Sequence, residues 1–95
     1  MPEMRFIVIW PNGEEETCYS PSLVVNDFLA EGERYPIAEF LVRTTDALTI
    51  ASDRVQAKYG SPCSLAFHQL ERIRARAQSF AGQPDATVLC QSFII

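Results

Sequence analysis

Ninety-five residues make one domain (1–95), long enough for a single two-layer core. The chain is 47% hydrophobic and 21% charged with a net charge of −4, ordinary globular composition without low-complexity tracts. That balance excludes a dedicated nucleic-acid binder, which neutralises phosphates with Lys and Arg. The acids crowd the first half: residues 1–48 hold nine acids and three bases (−6), and residues 49–95 hold three acids and five bases (+2).

Met4 to Trp10 is apolar on both faces and rich in β-branched and aromatic types, as a central strand requires. Its apolar run is too short for a signal core or a membrane span. Asn12-Gly13 suits a type I′ turn. The partner strand, Glu14 to Tyr19, carries three consecutive acids and belongs at the sheet's rim, where charge deters stray pairing.

Ser20-Pro21 predicts a helix start, with Ser20 as N-cap and Pro21 at the first helical position. The short helix runs to about Ala30, with Leu23, Val24 and Phe28 or Leu29 turned inward, and Gly32 ends it. A catalytic role for Ser20 would need a base and an orienting partner, and the sole histidine, His68, lies far off in a helix. Pro36 opens a long helix to about Tyr59, its stripe being Ile37, Leu41, Thr44, Leu48, Ala51 and Val55. After Gly60, Ser61-Pro62 restarts a second long helix to about Phe80, with Cys63, Phe67, Leu70, Ile73, Ala77 and Phe80 inward. Thr87 to Ile94 reads as a last strand paired with the first.

The expected fold is α+β, a two-layer sandwich. A three-stranded sheet (hairpin plus C-terminal strand) packs on an antiparallel pair of long helices, in the order β-β-short α-α-α-β.

Cys18, Cys63 and Cys90 are odd in number and widely spaced, so they read as reduced, buried thiols of a cytoplasmic protein, with no metal set. The four glycines are scattered, which removes phosphate-loop and dinucleotide chemistry and leaves no cofactor indicated. Trp10, Tyr19 and Tyr35 stand at element ends, where exposed amphipathic rings contact partners or equally cover the edge of a small core. Glu39 and Arg43 are spaced i, i+4 for a helix-surface ion pair or an anchor for a partner. His68, Arg72 and Arg76 share one helix face and form a possible stripe for an anion or acidic partner. No catalytic residue emerges.

At "CYSPSLVV", "YPIAEFLVR" and "IASDRVQAKYG" the chain resembles a small family of bacterial nitrogen-starvation-response proteins over most of its length. Members are encoded in a cluster with a nitrilase, a radical-SAM protein, a flavin-dependent oxidoreductase and an acetyltransferase-like protein. The resemblance implies a cytoplasmic accessory protein in nitrile or cyanide nitrogen assimilation, and it carries no catalytic residues with it. Two readings follow. One is a non-catalytic partner that binds a cluster enzyme or itself. The other is a small enzyme or ligand carrier with a pocket lined by Tyr19, Tyr35, Glu39 and Arg43. The apolar run Ser92-Phe93-Ile94-Ile95 adds the expectation that a second copy or a cluster enzyme covers the outer edge of the last strand, most simply in a two-fold dimer.

Overall fold

In a computed structural model that describes residues 2–95, strands β1 (Met4–Ile9) and β2 (Glu15–Ser20) form the expected antiparallel hairpin. The turn is not type I′. Gly13 N–H donates to the Trp10 carbonyl at 2.8 Å, and Gly13 alone has positive φ (87°). Pro11, locked at negative φ, takes the second position of an ordinary turn, and Gly13 supplies the left-handed residue that follows it.

Ser20 stays in β2, opposite Met4, and is fully buried. It is therefore not the cap. Ser22 is, with extended backbone and a side chain that accepts from Val24 N–H at 3.3 Å. The helix it starts is only a 3₁₀ turn, Leu23–Asp27, because Val-Val-Asn-Asp is a poor helical sequence and the segment is too short to propagate. Ser20 staples the bend instead: its hydroxyl donates to the Ser22 carbonyl at 2.7 Å and accepts from Ser22 N–H at 3.3 Å. Ser20→Ala is expected to lower stability by about 1–2 kcal/mol through these two buried groups, with partner binding unchanged, measured by urea unfolding beside a binding assay.

A strand not expected from the sequence follows. β3 (Arg34–Pro36) pairs antiparallel with β4 (Thr87–Ile94), and β4 pairs antiparallel with β1. The sheet is thus four-stranded, in the order β2-β1-β4-β3, with acid-rich β2 at one rim. The outer edge of β4 is covered from within the chain. β3 spans Thr87 to Leu89, Gly32 N–H and the Glu33 carbonyl bind Cys90, and the Glu31 carboxylate accepts from Phe93 N–H at 3.2 Å. A β-bulge interrupts the β1–β4 register between Ile7 and Val8.

The helices lie where the prolines and glycines place them. α1 (Ile37–Tyr59) begins after Pro36 and ends at Gly60, whose left-handed φ of 86° closes the last turn onto the Gln56 carbonyl. α2 (Ser64–Ser79) returns beside it. Both helices pack on one face of the sheet, onto Met4, Phe6, Val8, Cys18, Val88 and Cys90.

The helix faces differ from expectation. Phe40 and Ala47 join Thr44, Leu48 and Ala51 in the core of α1, while Ile37, Leu41 and Val55 lie at its margin. In α2, Ala66 and Gln69 are buried and Phe67 is 59% exposed. An aromatic is outside and an amide inside because β2 presents polar groups to this helix, which Gln69 alone can meet.

Candidate functional site

Between α2 and β2 lies a polar cleft of about 470 Å³ lined by Glu16, Thr17, Arg72, Ala75 and Arg76. Beneath it, Trp10 Nε1 donates to Glu16 Oε1 at 2.9 Å, and Gln69 Nε2 donates to Glu16 Oε2 at 3.4 Å. Gln69 Oε1 accepts from Tyr19 N–H at 3.0 Å and from Arg72 at 2.9 Å. Arg76 lies over the Trp10 ring, 5.4 Å from its centroid, and pairs with Glu14 at 3.4 Å. The charged groups of the cleft are already engaged by neighbouring side chains. Both carboxylate oxygens of Glu16 accept internal donors, and burial beside Glu16 pushes the Cys18 thiol far above its ordinary range and keeps it protonated.

Trp10 is therefore not an exposed partner contact. It is 1% exposed and packs edge-on against Phe40 and flat against Phe80, at 5.5 and 6.1 Å between ring centres. Tyr35, also buried, accepts Ala30 N–H on its hydroxyl at 2.9 Å and lies under the Arg43 guanidinium at 5.0 Å. Arg43 donates to the Phe28 carbonyl at 2.7 Å, and its Nε stands 3.3 Å from Glu39 without hydrogen-bond geometry. Tyr35, Glu39 and Arg43 do come together, as a clasp holding the 3₁₀ segment to α1. Tyr19 does not join them, because β2 and β3 are opposite edges of the sheet. Among the described residues, the four therefore do not line one common pocket.

Tyr19 lines another hollow, of about 440 Å³, with Glu3, Pro21, Val55, Tyr59 and Cys63. Partial burial, helped by a hydrogen bond with Glu3, pushes its hydroxyl up to about 12, so it stays protonated at neutral pH. Cys63 also lines an adjoining hollow of about 280 Å³ with Ser52, Pro62, Ser64 and Phe67. This end, where α1 turns into α2, carries large apolar side chains in the open: Tyr59 is 64% exposed and Phe67 59%, flanking the half-buried Cys63, and Leu65 is 60% exposed on the first turn of α2. The stripe is divided accordingly. Arg72 and Arg76 belong to the polar cleft, whereas the exposed His68 lies against Phe67, ring centres 5.8 Å apart. Sequence periodicity assigned Phe67 to the core and so missed this patch.

All three thiols are free, Cys18 and Cys90 being buried. Among the described residues no three His, Cys, Asp or Glu side chains are grouped to hold a metal ion, and no helix is long and apolar enough to cross a membrane. Cys63 is expected to take up a thiol reagent first, with Cys18 and Cys90 reacting only on unfolding, as intact mass against time will record. Burial raises Cys90 from 9.0 to about 11, which favours the neutral thiol in the fold. That stabilisation is complete below pH 9.0 and is lost as pH rises towards about 11, so unfolding midpoints should fall across that window, and less in Cys90→Ala.

The family model described as "Nitrogen starvation-induced protein NitG" matches residues 5–93, from the first strand through the last. The chain belongs to the NitG family. No curated protein and no solved structure matches it. For this NitG-family chain the match covers the hairpin, both helices and the junction patch alike.

Proposed function

We propose that this NitG-family chain is a non-catalytic accessory protein of the cytoplasm that binds an enzyme of nitrile or cyanide nitrogen assimilation, encoded in the same nitrilase-containing cluster, through the junction of its helices. The observation that carries the reading is the patch around Cys63, where Tyr59 and Phe67 stand about three-fifths exposed beside two adjoining hollows. Apolar side chains of that size, rimmed by polar residues, mark interaction surfaces. The use of the remaining chemistry supports it: the Glu16 carboxylate, the Arg43 guanidinium and the Ser20 hydroxyl all serve bonds that hold the fold.

The test is affinity capture from nitrogen-starved cells with tagged wild type and with Phe67→Asp. Phe67 is exposed, so the variant should keep its melting temperature. Wild type is expected to retain a nitrilase-cluster enzyme in near-stoichiometric amount and Phe67→Asp at least about tenfold less, the usual effect of removing an aromatic anchor. Retention of no such enzyme, or equal retention by both proteins, overturns the proposal.

A further inference from the structure

The sheet has a second face. Both helices pack on Met4, Phe6 and Val8, so the alternate residues of each strand point the other way, and among the described residues no element packs on that side. In a one-sided antiparallel sheet this face is normally polar. Here its two central strands carry Ile7, Ile9 and Leu89, shielded only partly, with Ile94 at 50% exposure. Polar residues stand among them: Arg5, opposite Ile94 at one end, and Ser92, opposite Ile7.

The charges around this apolar strip are ordered. The register aligns Glu15 with Ile9, Ile9 with Leu89, and Leu89 with Arg34, one row crossing all four strands. An acid ends the row on one rim and a base on the other, with two aliphatic residues between. Glu15 and Arg34 are both exposed, and among the described residues the three ion pairs use other side chains. Such a row is complementary to itself. A two-fold axis parallel to the strands, lying between two facing sheets, reverses the row, so that each acid meets a base and each Ile9 meets a Leu89.

We infer that this face is a self-association surface that takes a second copy of the chain, with Glu15 opposite Arg34 of the partner subunit, twice, across an Ile9–Leu89 centre. Face-to-face sheets keep their strands within about 30° of each other, so the row stays in register despite the twist. Strands about 4.8 Å apart and residues about 3.3 Å along them give a face of roughly 20 by 20 Å. That lies below the size of a standard stable interface, so the association is expected to be weak. This surface lies on the opposite side of the sheet from the helices, and the inference stands without the accessory-protein reading.

Sedimentation velocity on purified protein from about 1 µM to about 500 µM decides it, with circular dichroism to check folding of each variant. Wild type should pass from monomer to dimer across that range. Glu15→Arg and Arg34→Glu, each placing like charges opposite one another, should weaken association at least ~10-fold, and the double charge swap should restore it to within ~3-fold of wild type. Ile9→Arg should abolish the dimer while keeping the native spectrum. A wild type that remains monomeric throughout overturns the inference. So does a dimer that tolerates both single swaps, or a double swap no tighter than the singles.

Discussion

Trp10→Ala is expected to remove about 3–5 kcal/mol of stability, the largest loss of any single substitution considered for this chain. The ring is wholly inside, between Phe40 and Phe80, so its removal leaves a void that backbone held by β1 cannot collapse to fill. It also strips Glu16 Oε1 of its donor and the Arg76 guanidinium of the surface it rests on. For a domain whose total stability is about 5–15 kcal/mol, that is between about a fifth and the whole of the margin. Trp10→Phe keeps one aromatic ring between Phe40 and Phe80 but loses the indole N–H and the volume of the second ring, so its cost should be smaller, about 1–3 kcal/mol. Urea midpoints for the two variants check this. A full-strength Trp10→Ala midpoint with lost partner binding would restore Trp10 to the surface.

Gln69→Leu comes next, at about 2–4 kcal/mol, although the swap nearly conserves volume and replaces a polar side chain in the core by an apolar one. Simple burial reasoning gives the opposite sign. The amide, however, accepts from Tyr19 N–H on the free edge of β2, holds Arg72, and donates to Glu16. Leucine strips the part-buried Tyr19 N–H of its acceptor and removes one of the donors to the half-buried Glu16 carboxylate, while the exposed Arg72 can turn to water. The unmet main-chain donor outweighs the gain in apolar area. Hydrogen exchange at Tyr19 supplies an independent reading: its amide should be protected in wild type and exchange markedly faster in Gln69→Leu. Equal or greater stability for Gln69→Leu would show that the network contributes nothing net.

Much of the framework follows from local chemistry. The hairpin, the acid-rich rim strand, both long helices and the last strand lie close to where Pro36, Gly60, Ser61-Pro62 and the apolar runs put them, and β4 pairs with β1 as expected. These features depend on backbone preferences confined to a few neighbouring residues: a proline that fixes φ, a glycine that accepts positive φ, a run of β-branched side chains. The candidate residues were less legible. Tyr35, Glu39 and Arg43 do meet, but as a clasp; Trp10 is core; Phe67, assigned to the core, is surface.

The sequence by itself therefore determined the hairpin, the two long helices, the last strand and the α+β class, because the period and punctuation of each element are set within one turn or one strand. Only the tertiary structure decided that Arg34–Pro36 is a fourth strand, that Ser22 rather than Ser20 caps the 3₁₀ turn, and that Gln69 points in while Phe67 points out. β3 is three residues long and exists because β4 offers it an edge. Gln69 is buried because an edge N–H and a carboxylate some 50 residues earlier in the chain need it. In each case the deciding partner is distant in sequence, and no local preference encodes it.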